Sequence, residues 1–176
     1  MTEKHKIGVF LCHCGGNISD VLDMDKIEEE LSKNDEVVSI KHHQNLCSLE
    51  GRKIIKDQIL REGLDRVVIS ACSKVTHGET FQNYIKPLNP YLYEMPNIRE
   101  QCSWVTENPE KATVKAISLI NSGIESVKYD EPLQKIPTQV KNKVLVIGAG
   151  ISGITTAISL AKQGMKKKPI STDNGH

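Results

Sequence analysis

Asp65-Arg66-Val67-Val68-Ile69-Ser70-Ala71-Cys72 is the stretch on which the fold turns. Three β-branched residues in succession, with no polar alternation, mark a strand buried on both faces, as in a parallel sheet covered by helices. Upstream, Glu50 or Gly51 opens a helix whose Ile54, Ile55 and Ile59 form an approximate apolar stripe, and Gly63 marks its end. Ile7-Gly8-Val9-Phe10-Leu11 is a second apolar run bounded by polar sequence, and Val37-Val38-Ser39-Ile40 is a third. Between these two, Asp23 or Asp25 can cap a helix over about Lys26 to Lys33, with Ile27 and Leu31 on one face. Downstream of Cys72, a polar loop precedes a helix around Glu79 to Ile85, stopped by Pro87. Pro90 confines Tyr91-Leu92-Tyr93 to a short or edge strand. Asn97 can cap a turn of helix carrying Cys102 and Trp104, and a longer helix runs from about Pro109 through Ile124. The alternation predicts an α/β fold: a Rossmann-like or flavodoxin-like parallel sheet layer flanked by helices.

Composition narrows the classes. With 176 residues, 38% hydrophobic, the chain suits one ordinary globular domain with a second unit begun. A net charge of +1 gives no general attraction to nucleic acid or to an anionic membrane. No run of about 18 apolar residues is present, so no membrane span is expected. The polar start Met1 to Lys6 is unlike a signal peptide, which predicts a cytoplasmic, reducing setting. There, cysteines serve as thiols, metal ligands or redox groups rather than structural disulfides.

The five cysteines follow the strands. Cys12 and Cys14 come after Ile7 to Leu11, Cys47 after the second strand, Cys72 after the third and Cys102 after the fourth. Loops beyond the carboxyl ends of parallel strands share one edge, where ligands bind. A [4Fe–4S] cluster needs four ligands, and the expected set is Cys14, Cys47, Cys72 and Cys102, with Cys12 in reserve. Gly15-Gly16 would bring backbone close to inorganic sulfide. Zinc, a thiol redox site and inert buried cysteines remain open alternatives. His13, His42 and His43 are conceivable lining residues, His77 a helix cap or partner contact, and Trp104 a shield from water. No nucleophile–histidine–acid arrangement stands out.

A fresh unit starts at Val144-Leu145-Val146-Ile147, followed by Gly148-Ala149-Gly150-Ile151-Ser152-Gly153 and an apolar helix from Ile154 to Ala161. Strand, G-x-G-x-x-G and helix in this order is the opening of a dinucleotide fold. Gly148 permits the tight turn, Gly150 admits a pyrophosphate to the backbone, and Gly153 lets helix and strand pack. The second strand and its ribose-contacting acid are read as missing, because the chain reads Met165-Lys166-Lys167-Lys168-Pro169 where they are due. The expected organisation is therefore an iron–sulfur-binding α/β domain over 1–127, a linker over 128–142, a truncated start of an FAD-binding Rossmann domain over 143–165, and a disordered tail over 166–176.

Together these stretches resemble the N-terminal part of the heterodisulfide reductase A-subunit family of methanogenic archaea and related anaerobes. The resemblance is carried by Ile7 to Gly15, Asn17-Ile18, Val67 to Cys72, Asn89 to Met95, Asn97 to Val105 and Gly148 to Gly153. It implies a [4Fe–4S] domain ahead of a thioredoxin-reductase-like FAD domain, in a flavoprotein that takes part in flavin-based electron bifurcation. Implied partners are subunits B and C, electron-input subunits of hydrogenase or formate dehydrogenase, and a second copy of the flavoprotein by self-association. Carried onto this chain, the resemblance implies Cys14, Cys47, Cys72 and Cys102 as cluster ligands, with Cys12 possible, and Gly148, Gly150 and Gly153 at the start of the FAD site. The expected function is electron transfer through the cluster as a fragment of an oxidoreductase component, not catalytic alone and not binding FAD alone. The alternative is a non-catalytic protein-interaction domain with structural zinc or inert cysteines.

Overall fold

The computed structural model describes residues 4–134, 136–139, 141 and 143–170. The chain divides into two units, Met1–Gln134 and Lys135–His176. In the first, four parallel strands, β1 (Ile7–Cys12), β2 (Val37–His43), β3 (Arg66–Ser70) and β4 (Tyr93–Glu94), lie in the order β2-β1-β3-β4. The mixed α/β fold with a helix-flanked parallel sheet agrees with the reading of the strand runs. Every residue of β1 is buried, and Val67, Val68 and Ile69 of β3 are fully enclosed beside it. Each such aliphatic side chain contributes about 1.5–3 kcal/mol by leaving water.

The helices α1 (Met24–Leu31), α2 (Leu49–Glu62), α3 (Lys74–Tyr84) and α4 (Pro109–Val127) cover the sheet. Asp23, Ser48, Ser73 and Asn108 each accept a backbone N–H of the first turn, satisfying a donor the helix cannot use itself. Gly63 ends α2 in the left-handed conformation, φ 62°. Ala112, Ala116, Ile120, Ile124 and Val127 form the buried stripe of α4, which packs against β3, β4 and α1.

The element bounds depart from the sequence reading in physically explicable ways. β2 continues three residues past Ile40 because Leu11 and Cys12 of β1 pair with His42 and His43. α3 begins at Lys74 within the expected polar loop, since the Ser73 hydroxyl caps it. β4 starts later than Tyr91, whose N–H is held in a turn by Asn89 Oδ1 at 3.0 Å. Asn97 Oδ1 accepts from the N–H groups of Arg99 and Glu100, opening a π-helical turn at Arg99–Ser103.

The second unit consists of β5 (Lys143–Ile147), α5 (Ile151–Lys162) and β6 (Lys166–Ile170), with β5 and β6 parallel. Residues 166–170, read above as the start of a disordered tail, thus form a strand. Gly164, at φ 76°, turns the chain back, and pairing with β5 extends a segment whose side chains alone would not announce it. The rest of the expected tail, 171–176, lies outside the described residues. Among the described residues, no helix is long and apolar enough to cross a membrane.

Two expected outcomes follow from this packing. A Cβ on Gly51 would lie 2.6 Å from both the Asn45 carbonyl oxygen and Leu46 Cα, which are backbone atoms that cannot swing aside. Alanine ordinarily gains about 1 kcal/mol over glycine in a helix, but forced contact of this kind costs about 1–3 kcal/mol. Gly51→Ala should therefore lower stability in urea denaturation, and an unchanged or raised midpoint would show that α2 does not press on the 45–46 backbone. The second concerns Glu36, which pairs with Lys128 and accepts the His5 N–H at 3.2 Å. The Lys128 contact holds its carboxyl below the ordinary carboxylate range; burial opposes this, and the His5 amide assists. A carboxylate depressed in the folded state adds stability above its unfolded pKa and loses it as pH falls through the folded value. Stability measured from about pH 5 to about pH 3 should fall more steeply in the wild type than in Glu36→Gln. Parallel curves would contradict the pairing.

Candidate functional site

In the order β2-β1-β3-β4, the connections that leave β1 and β3 run to opposite sides, so the carboxyl ends of these two strands flank the topological switch point where open α/β sheets bind ligands. Cys12, His13 and Cys14 follow β1, the turn 44–47 follows β2, Cys72 and Ser73 follow β3, and the turn Arg99–Ser103 follows β4. Parallel pairing alone brings these distant segments to one edge.

The loop after β1 turns sharply. His13 is right-handed, whereas Cys14, Gly15 and Gly16 have φ of 54°, 60° and 96°. A left-handed cysteine is strained by about 1–3 kcal/mol, and its surroundings hold it there. The His13 carbonyl accepts from the N–H groups of Gly16 and Ile18, while the Gly15 N–H reaches the Gln44 carbonyl at 3.1 Å. Gly15 and Gly16 thus serve turn geometry.

Each thiol has its own surroundings. Cys12 Sγ is 3.5 Å from the Leu46 N–H that donates to it. Burial pushes the Cys12 thiol above its ordinary range; amides of Leu46 and Cys14 oppose the rise, and nearby Cys14 and Cys47 add to it. Cys14 Sγ accepts from Arg99 Nη1 at 2.9 Å. Burial pushes Cys72 up to about 11, against the pull of Arg99 and with help from Glu100, Cys14 and Cys12. Cys47 is half-buried against the core. Cys102 stands apart: its Sγ points at the Ala112 carbonyl of α4, 3.1 Å away, and burial raises its pKa against Lys115 alone.

The expectation of a cluster is overturned by this arrangement. Cys102 is turned into the α4 packing, Cys14 is engaged by a cation and Cys12 by an amide. Among the described residues, no three His, Cys, Asp or Glu side chains converge so as to hold a metal ion. Cys14, Cys47, Cys72 and Cys102, with or without Cys12, therefore do not fit a [4Fe–4S] cluster, and the iron–sulfur, metal-binding and cluster electron-transfer readings fall with it. A structural zinc fails on the same geometry.

Arg99 organises what stands there instead. Its Nη2 donates to Glu100 Oε1 at 2.9 Å, and its guanidinium lies 4.6 Å from the centre of the Trp104 ring. Burial works against the Arg99 charge, but hydrogen bonds to Glu100 and Cys14 outweigh it and hold the pKa above the usual value. Glu100 Oε2 accepts the Ser73 N–H at 3.0 Å, tying the end of β3 to the turn after β4. Trp104 is 56% exposed and donates from Nε1 to Asn17 Oδ1, so it covers Arg99 and shields no cluster. Sequence reasoning assigned no role to Arg99, Glu100 or Asn17. The signal was the charged pair Arg99-Glu100 two residues after Asn97, a turn-capping residue just beyond a short strand.

The histidines form a separate chain. His13 Nε2 lies 3.2 Å from His42 Nδ1, and His42 Nε2 is 2.9 Å from Glu28 Oε2. Burial lowers the His13 pKa, and His42 and His43 lower it further. His43 Nδ1 accepts the Asn45 N–H, which helps form the turn after β2.

In the second unit, Gly148 has φ 100°, and a Cβ on Gly153 would sit 2.0 Å from the Gly148 carbonyl oxygen. Gly150 precedes α5, where no side chain caps the first-turn N–H groups.

No family model matches the chain. It is 43% identical over 162 residues to the A subunit of the ferredoxin:CoB-CoM heterodisulfide reductase of Methanosarcina mazei, an alignment covering 90% of this chain and 20% of that protein. Identity is 44% over 164 residues with an iron-sulfur A subunit of the CoB–CoM heterodisulfide reductase of Methanopyrus kandleri, covering 92% and 24%. With the A subunit of the H(2):CoB-CoM heterodisulfide,ferredoxin reductase of Methanothermobacter thermautotrophicus it is 41% over 167 residues, covering 93% and 25%. The chain spans a quarter or less of the length of these relatives. It is homologous, along some nine tenths of its own length, to the A subunits of heterodisulfide reductases.

Proposed function

We propose that this chain is a protein-interaction part of a heterodisulfide-reductase-type A subunit, joined to the opening unit of a dinucleotide-binding domain. The similarity to such proteins over nine tenths of the chain carries the reading. In this reading the α/β layer, residues 1–127, is a docking body in which protein groups engage Cys12, Cys14 and Cys102. Residues 128–142 link it to the second unit. The docking partners are subunits B and C, with electron-input subunits of hydrogenase or formate dehydrogenase and a second copy of the flavoprotein as further candidates.

Gly148, Gly150 and Gly153 support the dinucleotide part. The left-handed turn and the close approach at Gly153 leave backbone N–H groups of α5 free to face a diphosphate, whose charge the helix N-terminus stabilises. The group would be FAD, supplying hydride and single-electron chemistry when bound. The turn by itself cradles only the diphosphate. Leu145 and Ile147 of β5 and Ile151, Ile154 and Ile158 of α5 are half or more exposed, or nearly so, where a finished nucleotide cleft would bury such side chains.

Two outcomes are expected. Mixed with subunits B and C of its own organism, the chain should co-elute with one of them on size exclusion; separate elution from both would overturn the docking role. Titrated with FAD, the isolated chain should show no stoichiometric binding, and one tightly bound FAD per chain would contradict the account of its second unit.

A further inference from the structure

β5 leaves an apolar edge open. Its residues Val144, Leu145, Val146 and Ile147 follow a single charge, Lys143. β6 pairs with one side of β5, and among the described residues no strand pairs with the other. Val146 faces α5, since its Cγ1 lies 3.8 Å from where a Cβ on Gly153 would stand. Alternation along the strand then turns Leu145 and Ile147 to the opposite face, where they are 54% and 70% exposed. The outer side of β6 differs in kind. Three lysines and a proline fill four of its five positions, and Pro169 has no N–H to give a neighbour. Lysine and proline are residues with which natural sheets close an edge to further strands. The edges of the first sheet are blunted too: β2 carries Lys41 and a register shift against β1, and β4 is two residues long. The aliphatic edge of β5 has no such protection.

We propose that β5 pairs antiparallel with β5 of a second copy, about a two-fold axis at Leu145, joining two small sheets into one of four strands in the order β6-β5-β5-β6. Charge selects this arrangement. Pairing through β6 would set two runs of three lysines side by side, and a parallel pairing of β5 would put Lys143 beside the partner's Lys143. In the antiparallel register Leu145 lies opposite the partner's Leu145, Val144 opposite Val146, and Lys143 opposite Ile147, so the two ammonium groups stand at opposite ends of the contact. Both copies turn Leu145 and Ile147 to the same face, where four aliphatic side chains cover one another, while α5 stays on the other face. The contact gives the second copy, one of the docking candidates, its surface, and it rests on that candidate. Binding of subunits B and C is a separate measurement, so each can fail without the other.

Sedimentation of the full chain under reducing conditions should give a dimer. Leu145→Lys takes two leucines out of the contact and sets two ammonium groups across the axis, which should raise the dissociation constant by about a hundredfold. Opposed residues of an antiparallel pair hold their Cβ atoms about 4.5–5.5 Å apart, close to the span of a disulfide. Mild oxidation of Leu145→Cys should therefore join two copies through position 145, and peptide mapping separates that link from any made by the native cysteines. Lys168→Cys, at the position paired with Leu145 inside the two-stranded sheet, should give no link between copies through position 168. A wild-type chain that sediments as a monomer would overturn the proposal, as would a dimer that Leu145→Lys leaves intact, or cross-linking faster at 168 than at 145. Should Leu145→Lys fail to fold, the Leu145→Cys cross-link decides.

Discussion

The pairing of β1 between β2 and β3 is the constraint on which everything else rests. β1 contributes six buried residues and hydrogen-bonds on both sides, so both its faces and both its edges are used. The parallel arrangement forces crossovers through helices and delivers every strand's carboxyl end to one edge. Segments carrying Cys12, Cys14, Cys47 and Cys72 reach that edge for that reason alone. Arg99 and Glu100 then bind that edge together. One charge meets the loop after β1, and the other accepts the amide that opens the segment after β3.

Position at an edge and convergence on a point are different properties, and the sequence speaks only to the first. Apolar runs such as Val67 to Ile69 give strands because continuous burial is written in residue type. The order of those runs then places the cysteines at strand ends. Where each sulfur points depends on one-residue details: a left-handed φ at Cys14, the carbonyl of Ala112 one helix turn inside α4, the amide of Leu46. Nothing in residue spacing encodes these. Cys102 shows it most plainly, since its strand-end position was legible and its inward rotation was not.

The helix caps show the same division. Gly63 and Pro109 were readable because they act through their own backbones, one by reaching the left-handed region and the other by tolerating a first-turn site without an N–H. The start of α3 was missed because Ser73 acts through a hydroxyl that would suit a loop equally well. β6 was missed for another reason: its stability comes from pairing with β5, so a lysine-rich segment becomes a strand by tertiary context. In the glycine turn, by contrast, Gly148 and Gly153 answer demands written in residue type, one a left-handed φ and the other a close approach of the Gly148 carbonyl, while Gly150 meets no such demand.

The central claim is that protein groups engage Cys12, Cys14 and Cys102 and that no metal gathers the thiols at the strand ends. Iron, acid-labile sulfide and zinc analysis of anaerobically prepared chain, paired with a count of titratable thiols, tests it most directly. The predicted result is all five cysteines free with no stoichiometric metal or sulfide. About four iron and four sulfide per chain, or one zinc with the thiols blocked, would contradict it.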